Sequence, residues 1–514
     1  MSLAETTHRQ PPKWVVSPKR SLRPPSYSRS VMQKIIVGHT VRNLVLSVVV
    51  VLASSGLPLA DHGTRREHDS VTHRNRIAYE ILPVGAGPSL ASRGTSTLHA
   101  AVQDPVNITQ RDDDDRSHEY ADAGIVVRWS QLAEDNALAI DPAFTDPFPS
   151  SRGWTMMYLA MHDALNAIVR KFRPYAFVGT DPSAHPIAAA AQAAHDVMNH
   201  IYPTRQAEND AELAFWLGQV PDGRSKTRGV NLGMASAVAI ISARANDNML
   251  VFGEYVLQNP LEPGDYRFVP PLEFVYRPAF GDSTPFAIGS GAEFLPSPPP
   301  LLTNWIYALS VNEVKAFGRL NSRFRSHDQT NLAAWWLEFN EMQWGRIMRQ
   351  LTETRRLGLL DAVRMFALSN LANIDATVAV WYAKQYYDFW RPFHAIRLAD
   401  TDGNPLTEAD RNWVSEQIVP PLQEYPSAHA IQCHAIERTL RSIFGSDHVS
   451  FSTQSTTATP SNPVRSFKRL STAARECGES RIMAGFHYRF SVNVGASMGH
   501  KVAETIIRTQ LRRR

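Results

Sequence analysis

The stretch Glu424-Tyr425-Pro426-Ser427-Ala428-His429-Ala430 reads as the start of a helix. Pro426 suits a first helical turn, where its missing N–H is no loss. The apolar residues that follow, Ile431, Ala435, Ile436 and Leu440, have helical spacing. Ser427, the Ala428 amide and His429 then stand at a helix N-terminus, where free N–H groups and the helix dipole favour an anion. A hydroxyl, a small residue and an imidazole in consecutive positions can hold and protonate an oxyanion. Taken alone, the same residues also fit a capped helix with a half-buried histidine.

Outward from this stretch the chain reads as helical. Trp154–Phe172 carries Met157, Leu159, Ala160, Ala164, Leu165, Ile168 and Val169, apolar over much of its circumference as in a buried helix. His162 lies within it and reads as a core histidine. Ile187–Tyr202, Glu208–Val220 and Gly229–Asn248 are further helices. Tyr255–Asn304, rich in proline and glycine and without a period, is long for a loop, which favours a functional or covering role. Helices resume at Asn312–Leu320 and Asp328–Thr354, the latter with Trp335, Trp336, Phe339, Met342, Trp344 and Ile347 as a core stripe. Gly358 separates it from Asp361–Trp390, a long pattern that allows one break. With no convincing alternating strands and no fixed-period repeat, the expected fold class is all-α, with helices packed as bundles.

The 514 residues suffice for a substantial core, and two cysteines, Cys433 and Cys477, exclude a disulfide scaffold or a cysteine metal cage. The net charge of +4 is uneven: residues 1–60 hold eight Lys/Arg against one acid, Glu5, so the remainder is −3. That balance argues against nucleic-acid binding. Residues 1–60 read as a basic leader whose part from Met32, with Lys34 and Arg42 before the apolar run Leu44–Ala53 and small residues after it, has the layout of a signal peptide, Met32 being the preferred start. A secreted or periplasmic protein is expected; a membrane anchor is the alternative, disfavoured because the run is shorter than a span of ~20 residues. Residues 61–120 read as a polar linker that ends in the charge run 111–116 and includes the sequon Asn107-Ile108-Thr109. Residues 121–514 form the expected catalytic domain, with no integral membrane part; the oligomeric state is not legible.

Lys384 and Arg391, seven residues apart near the end of the long helix, are expected on one face, and Pro392 should end the helix at Arg391. Snorkelling surface cations are the alternative; the neighbours Tyr386, Trp390 and Phe393 argue against open solvent. Arg481 and His487, six residues apart, would diverge on one regular helix, and Gly485 supplies a break between them. Three cations, a serine hydroxyl, a helix N-terminus and two histidines match a tetrahedral anion. Charge-assisted hydrogen bonds of this kind contribute on the order of 1.5–3 kcal/mol each.

Lys384, six residues, Arg391-Pro392; then Pro426-Ser427-Ala428-His429; then Ser480-Arg481, five residues, His487, with gaps of 33 and 50 residues between the blocks: this set resembles the signature of the vanadium-dependent haloperoxidases, a superfamily shared with type 2 phosphatidic-acid phosphatases and bacterial acid phosphatases. Trp381 to Pro392, Ala395-Ile396-Arg397, Asp400 to Pro405, Asn312 to Lys315 and His162 to Ala167 are similar to the haloperoxidase branch, so the likeness covers roughly residues 121–510. The resemblance implies that Lys384, Arg391, Ser427, the Ala428 amide and Arg481 bind the oxygens of vanadate, that His487 is its ligand, and that His429 is the acid–base group of a halide oxidation driven by hydrogen peroxide. Phosphate is the alternative occupant. In that reading the enzyme is an acid phosphatase or phosphotransferase on a phosphoester, with His487 the nucleophile and His429 the proton donor. A third reading is an inactive anion-binding homologue.

Two positions depart from the signature. Ala428 stands where glycine is usual, and Ser491 stands four residues after His487, where an aspartate would orient the ring. Asp375 and Glu437 are candidates for a substitute carboxylate. Cys433 lies one helical turn after His429 and Cys477 one turn before Arg481; if those residues meet, a bridge and a pair of free thiols both stay open, and the sequence does not decide between them.

Overall fold

The computed structural model describes residues 123–514. The expected leader, signal peptide, linker and sequon lie outside the described residues. No helix among the described residues is long and apolar enough to cross a membrane.

The first half is built from α1 (Gly124–Ile140), α2 (Pro147–Val169), α3 (Pro186–Ile201), α4 (Gln206–Gly218) and α5 (Arg224–Ala243). The second comprises α6 (Trp305–Phe317), α7 (His327–Trp335), α8 (Asn340–Thr354), α9 (Leu359–Tyr387), α10 (Pro392–Arg397), α11 (Ala428–Phe444), α12 (Leu470–Met483) and α13 (Arg489–Thr509). Every residue of α9 from Met365 to Trp381 is buried, the mark of a helix with neighbours on all sides. It packs against α2 on one side and against α11 and α13 on the other, while α2, α3 and α5 pack together as a first bundle. The all-α bundle architecture is therefore as the sequence predicts.

The second bundle is tight because glycines face backbone. A Cβ at Gly499 of α13 would lie 2.3 Å from the Ile431 carbonyl of α11, and one at Gly495 would lie 2.6 Å from the Ser427 carbonyl. Side chains there would push the two helices apart.

Four details differ from the sequence reading. The expected helix Asp328–Thr354 is two helices. Ser326 and Gln329 form a capping box at the start of α7, and its end is fixed when Ser455 and Thr457 donate hydroxyls to the carbonyls of Trp335 and Ala334 at 2.6 and 2.8 Å. The aromatic stripe is core all the same: Trp335, Trp336, Trp344 and Ile347 are fully buried. Second, α6 begins at Trp305, where the Asn304 side chain accepts the Ile306 N–H. Third, α9 runs unbroken to Tyr387. Fourth, a two-stranded antiparallel ribbon, β1 (Phe451–Gln454) and β2 (Val464–Phe467), is present; strands of four residues carry too little alternation to be read.

The proline-rich segment lies along α9. Asp375, inside that helix, accepts the N–H groups of Phe286, Ala287 and Ile288 at 2.7, 2.7 and 2.9 Å. Asp375 is thus a structural anchor for the covering segment. The His162 ring is fully buried, with Nδ1 3.0 Å from Asp163.

Candidate active site

Lys384 and Arg391 meet, but not through helical periodicity. The helix stops at Tyr387, Asp388 is left-handed with φ 42°, and Arg391 is the extended N-cap of α10. The two cations converge because both grip one stretch of backbone. Lys384 Nζ donates to the Gln423 and Glu424 carbonyls, each at 2.8 Å, and Arg391 Nε donates to the Leu422 carbonyl at 2.7 Å. Both side chains are buried. Trp390 is buried beside them, whereas Tyr386, expected to shield them, is exposed.

The next residues lead into α11. Its N-cap is Ser427 and its first residue is Ala428, so Pro426 precedes the helix rather than forming its first turn. Ser427 and its amide-bearing neighbours still occupy a helix N-terminus, as expected. The third group comes from α12, which ends at Met483. Gly485 follows with φ +84°, and this left-handed turn brings His487 back towards Arg481. Arg481 is held by Ser480 Oγ at 2.9 Å from its Nε and by the Trp336 carbonyl at 2.6 Å from its Nη2. Arg391 spans the groups: its Nη1 donates to the Phe486 carbonyl at 3.0 Å and lies 3.1 Å from His487 Nε2.

The electrostatics follow from burial. Burial, then the neighbouring Arg391, holds Lys384 well below the usual lysine range, with Glu424 opposing the fall. Burial lowers Arg391 to about 10, against Glu424, and burial with Arg391 nearby lowers Arg481 to about 9. His429 is pushed well down by burial and then by Arg481, Lys384 and Arg391. His487 is pushed down by burial, the same three cations and His429. Burial and the cations therefore bias both rings towards the neutral form. Against three cations stands one carboxylate, Glu424, raised by burial to about 7 while Lys384 and Arg391 draw it down.

Glu424 also answers the question raised by Ser491. Its Oε1 is 2.8 Å from His487 Nδ1 and accepts the Tyr488 N–H at 3.0 Å. Neither sequence candidate does this. Asp375 anchors the covering segment, and Glu437 pairs with His500 at 2.9 Å and Arg441 at 3.1 Å. Behind the site, Cys433 of α11 and Cys477 of α12 form a disulfide, with Cα atoms 6.7 Å apart. The Trp344 indole N–H points to Cys433 Sγ at 3.4 Å.

The residues fit a tetrahedral oxyanion on one observation in particular. Arg391 Nη2, Ser427 Oγ and His429 Nε2 are all buried polar atoms without a hydrogen-bond partner. Unpaired buried groups of this kind cost about 1–3 kcal/mol each, and an anion with several oxygens would pair them. The first-turn amides of α11 add donors.

Residues 364–513 match the model of the VCPO second helical-bundle domain. Over those residues the chain is similar to that helical-bundle domain. The vanadium chloroperoxidase of Curvularia inaequalis is 27% identical over 207 residues, covering 34% of this chain and 33% of that protein, so the chain matches about a third of the relative's length. Two solved structures share the fold. A bacterial vanadium-dependent iodoperoxidase superposes with TM-score 0.63 at 20% identity, over 79% of this chain and 98% of the other. A holo-type bacterial vanadium-dependent chloroperoxidase gives 0.54 at 19%, over 68% and 89%.

Sequence reasoning missed Glu424. It was the first residue of the stretch that decided the reading, and its place two residues before Pro426 was the one available signal. The carbonyls of Trp336, Leu422, Gln423 and Phe486, which aim the cations, have no signature in residue types.

Proposed function

We propose that the protein is a vanadate-dependent haloperoxidase-like enzyme that oxidises halide with hydrogen peroxide. The observation that carries this reading is the trio of buried, unpartnered atoms, Arg391 Nη2, Ser427 Oγ and His429 Nε2, beside three cations and one carboxylate. Vanadate, when bound, supplies a Lewis-acid centre at which peroxide is activated towards halide. His487 would hold it through Nε2, which carries the lone pair because Nδ1–H is given to Glu424; that lone pair would exchange the Arg391 Nη1 hydrogen bond for the anion. Lys384, Arg391, Arg481, Ser427 and the Ala428 amide would bind its oxygens and offset its charge. His429, whose buried Nε2 has no protein partner and whose ring is biased towards the neutral form by burial and the cations, would accept at Nε2 the proton that peroxide gives up and return it later.

A second reading has its own support. Glu424 beside His487 supplies the carboxyl partner that Ser491 does not, which orients His487 Nε2 as a nucleophile towards a phosphomonoester, with His429 protonating the leaving alcohol. The same contact weakens the case for an inactive homologue. The discriminating experiment measures peroxide-dependent halide oxidation with and without added vanadate, and phosphomonoester hydrolysis, on one preparation. Vanadate-stimulated halide oxidation that vanishes in His487→Ala supports the first reading. Hydrolysis inhibited by vanadate supports the second, and inactivity in both sinks both.

A further inference from the structure

We propose that Glu424 is the positioning residue for His487: a carboxylate delivered from the segment before α11 to the N-terminus of α13, in the place an acid at position 491 would otherwise fill. The proposal rests on His487 being the anion's ligand. It concerns the device that sets the ring.

The geometry begins with α13, whose N-cap is Tyr488, so that Arg489, Phe490 and Ser491 are its first three residues. A side chain at the third helical position reaches back to the N–H of the N-cap residue. Here that N–H, Tyr488 N, is already taken by Glu424 Oε1 at 3.0 Å, and the same oxygen receives His487 Nδ1 at 2.8 Å. Glu424 thus occupies from outside the helix the spot that an acid at 491 would occupy from within. Ser491 is correspondingly small. Its carbonyl accepts the Ser427 N–H at 3.2 Å, tying α13 to the start of α11, and its buried hydroxyl, with no partner of normal geometry, adjoins the carboxylate.

The ring is fixed from both sides. Arg391 Nη1 lies 3.1 Å from His487 Nε2, and a guanidinium only donates, so Nε2 is the acceptor and Nδ1 carries the hydrogen. That hydrogen points to Glu424. A carboxylate here also meets the positive end of the α13 dipole. One negative charge suits the spot; two would repel one another at contact distance.

The test uses the full-length protein and three variants: Glu424→Gln, Ser491→Asp and the pair combined. Vanadate and phosphate affinities are measured by titration calorimetry, and the His487 tautomer is read in the anion-free protein by ¹⁵N-histidine NMR. Glu424→Gln should weaken vanadate binding about 10- to 100-fold, the usual effect of removing such a partner. Ser491→Asp alone should weaken it too, by crowding two carboxylates. The pair should recover most of the loss, which general damage to the fold would not allow. Unchanged affinity in Glu424→Gln, or a double variant no better than that single one, overturns the proposal. An Nε2–H tautomer for His487 in the unsubstituted protein overturns it as well. If that protein binds neither anion while His487 is the Nδ1–H tautomer, the functional reading fails and the positioning role stands.

Discussion

Severing the Cys433–Cys477 bridge tests the packing behind the site. The two cysteines are separated by 44 residues and both are fully buried. In the chain-entropy treatment, releasing a loop of that length costs about 4 kcal/mol of stability at 25 °C. Cys433→Ala with Cys477→Ala should therefore lower the unfolding free energy by about that amount, read from urea unfolding extrapolated to water with the slope fitted for each protein. Anion affinity should fall with it. Cys433 stands one turn after His429 on α11, and Cys477 stands one turn before Arg481 on α12, so the bridge ties together the two helices that carry those groups. A thiol titration on the denatured protein should find none before reduction and two after it. Two thiols without reductant, or a stability loss under about 1 kcal/mol, would refute the reasoning.

Three other perturbations read different parts of the structure. Gly499→Ala sets a Cβ 2.3 Å from the Ile431 carbonyl and 3.0 Å from the Ala435 amide; neither backbone atom can step aside, so a loss of about 1–3 kcal/mol is expected, and an unchanged melting temperature would contradict the close approach of α11 and α13. Arg391→Lys keeps the charge but loses the fork that joins Leu422, Phe486 and the anion; vanadate affinity should drop about 10- to 100-fold, and equal affinity would remove Arg391 from the binding set. The pH dependence has a definite sign. After burial, Arg481, Lys384 and Arg391 are what hold His429 down, and a bound anion opposes them, raising its pKa in the complex. A group whose pKa rises on binding takes up a proton, so affinity should strengthen as pH falls through the pKa of the complex and weaken above it. Calorimetry in buffers of different ionisation enthalpy measures that uptake, and its absence would sink the assignment.

The sequence carried the bundle through its periodicities. The alanine-rich patterns at Ile187–Tyr202 and Glu208–Val220 became α3 and α4 within two residues at each end, because burial on one face imposes a helical repeat. It failed where side chains from distant segments decide the outcome. The break after Trp335 depends on hydroxyls of Ser455 and Thr457, more than a hundred residues away. The candidate site was legible as residue types, since Lys384, Arg391, Ser427, His429, Arg481 and His487 do converge. The manner of convergence was not: Lys384 and Arg391 are aligned by main-chain carbonyls, which every residue has. Glu424 escaped notice because its role depends on where α13 begins, and an N-cap at Tyr488 is visible only after folding.

The position of bound vanadate tests the site most directly. A crystal structure of the protein grown with vanadate should show the anion bonded to His487 Nε2, with its oxygens on Lys384, Arg391, Ser427, the Ala428 amide and Arg481 and with Glu424 retained at His487 Nδ1. Vanadate bound elsewhere, or this cluster closed on itself with its buried donors still unpaired at saturating vanadate, would contradict it.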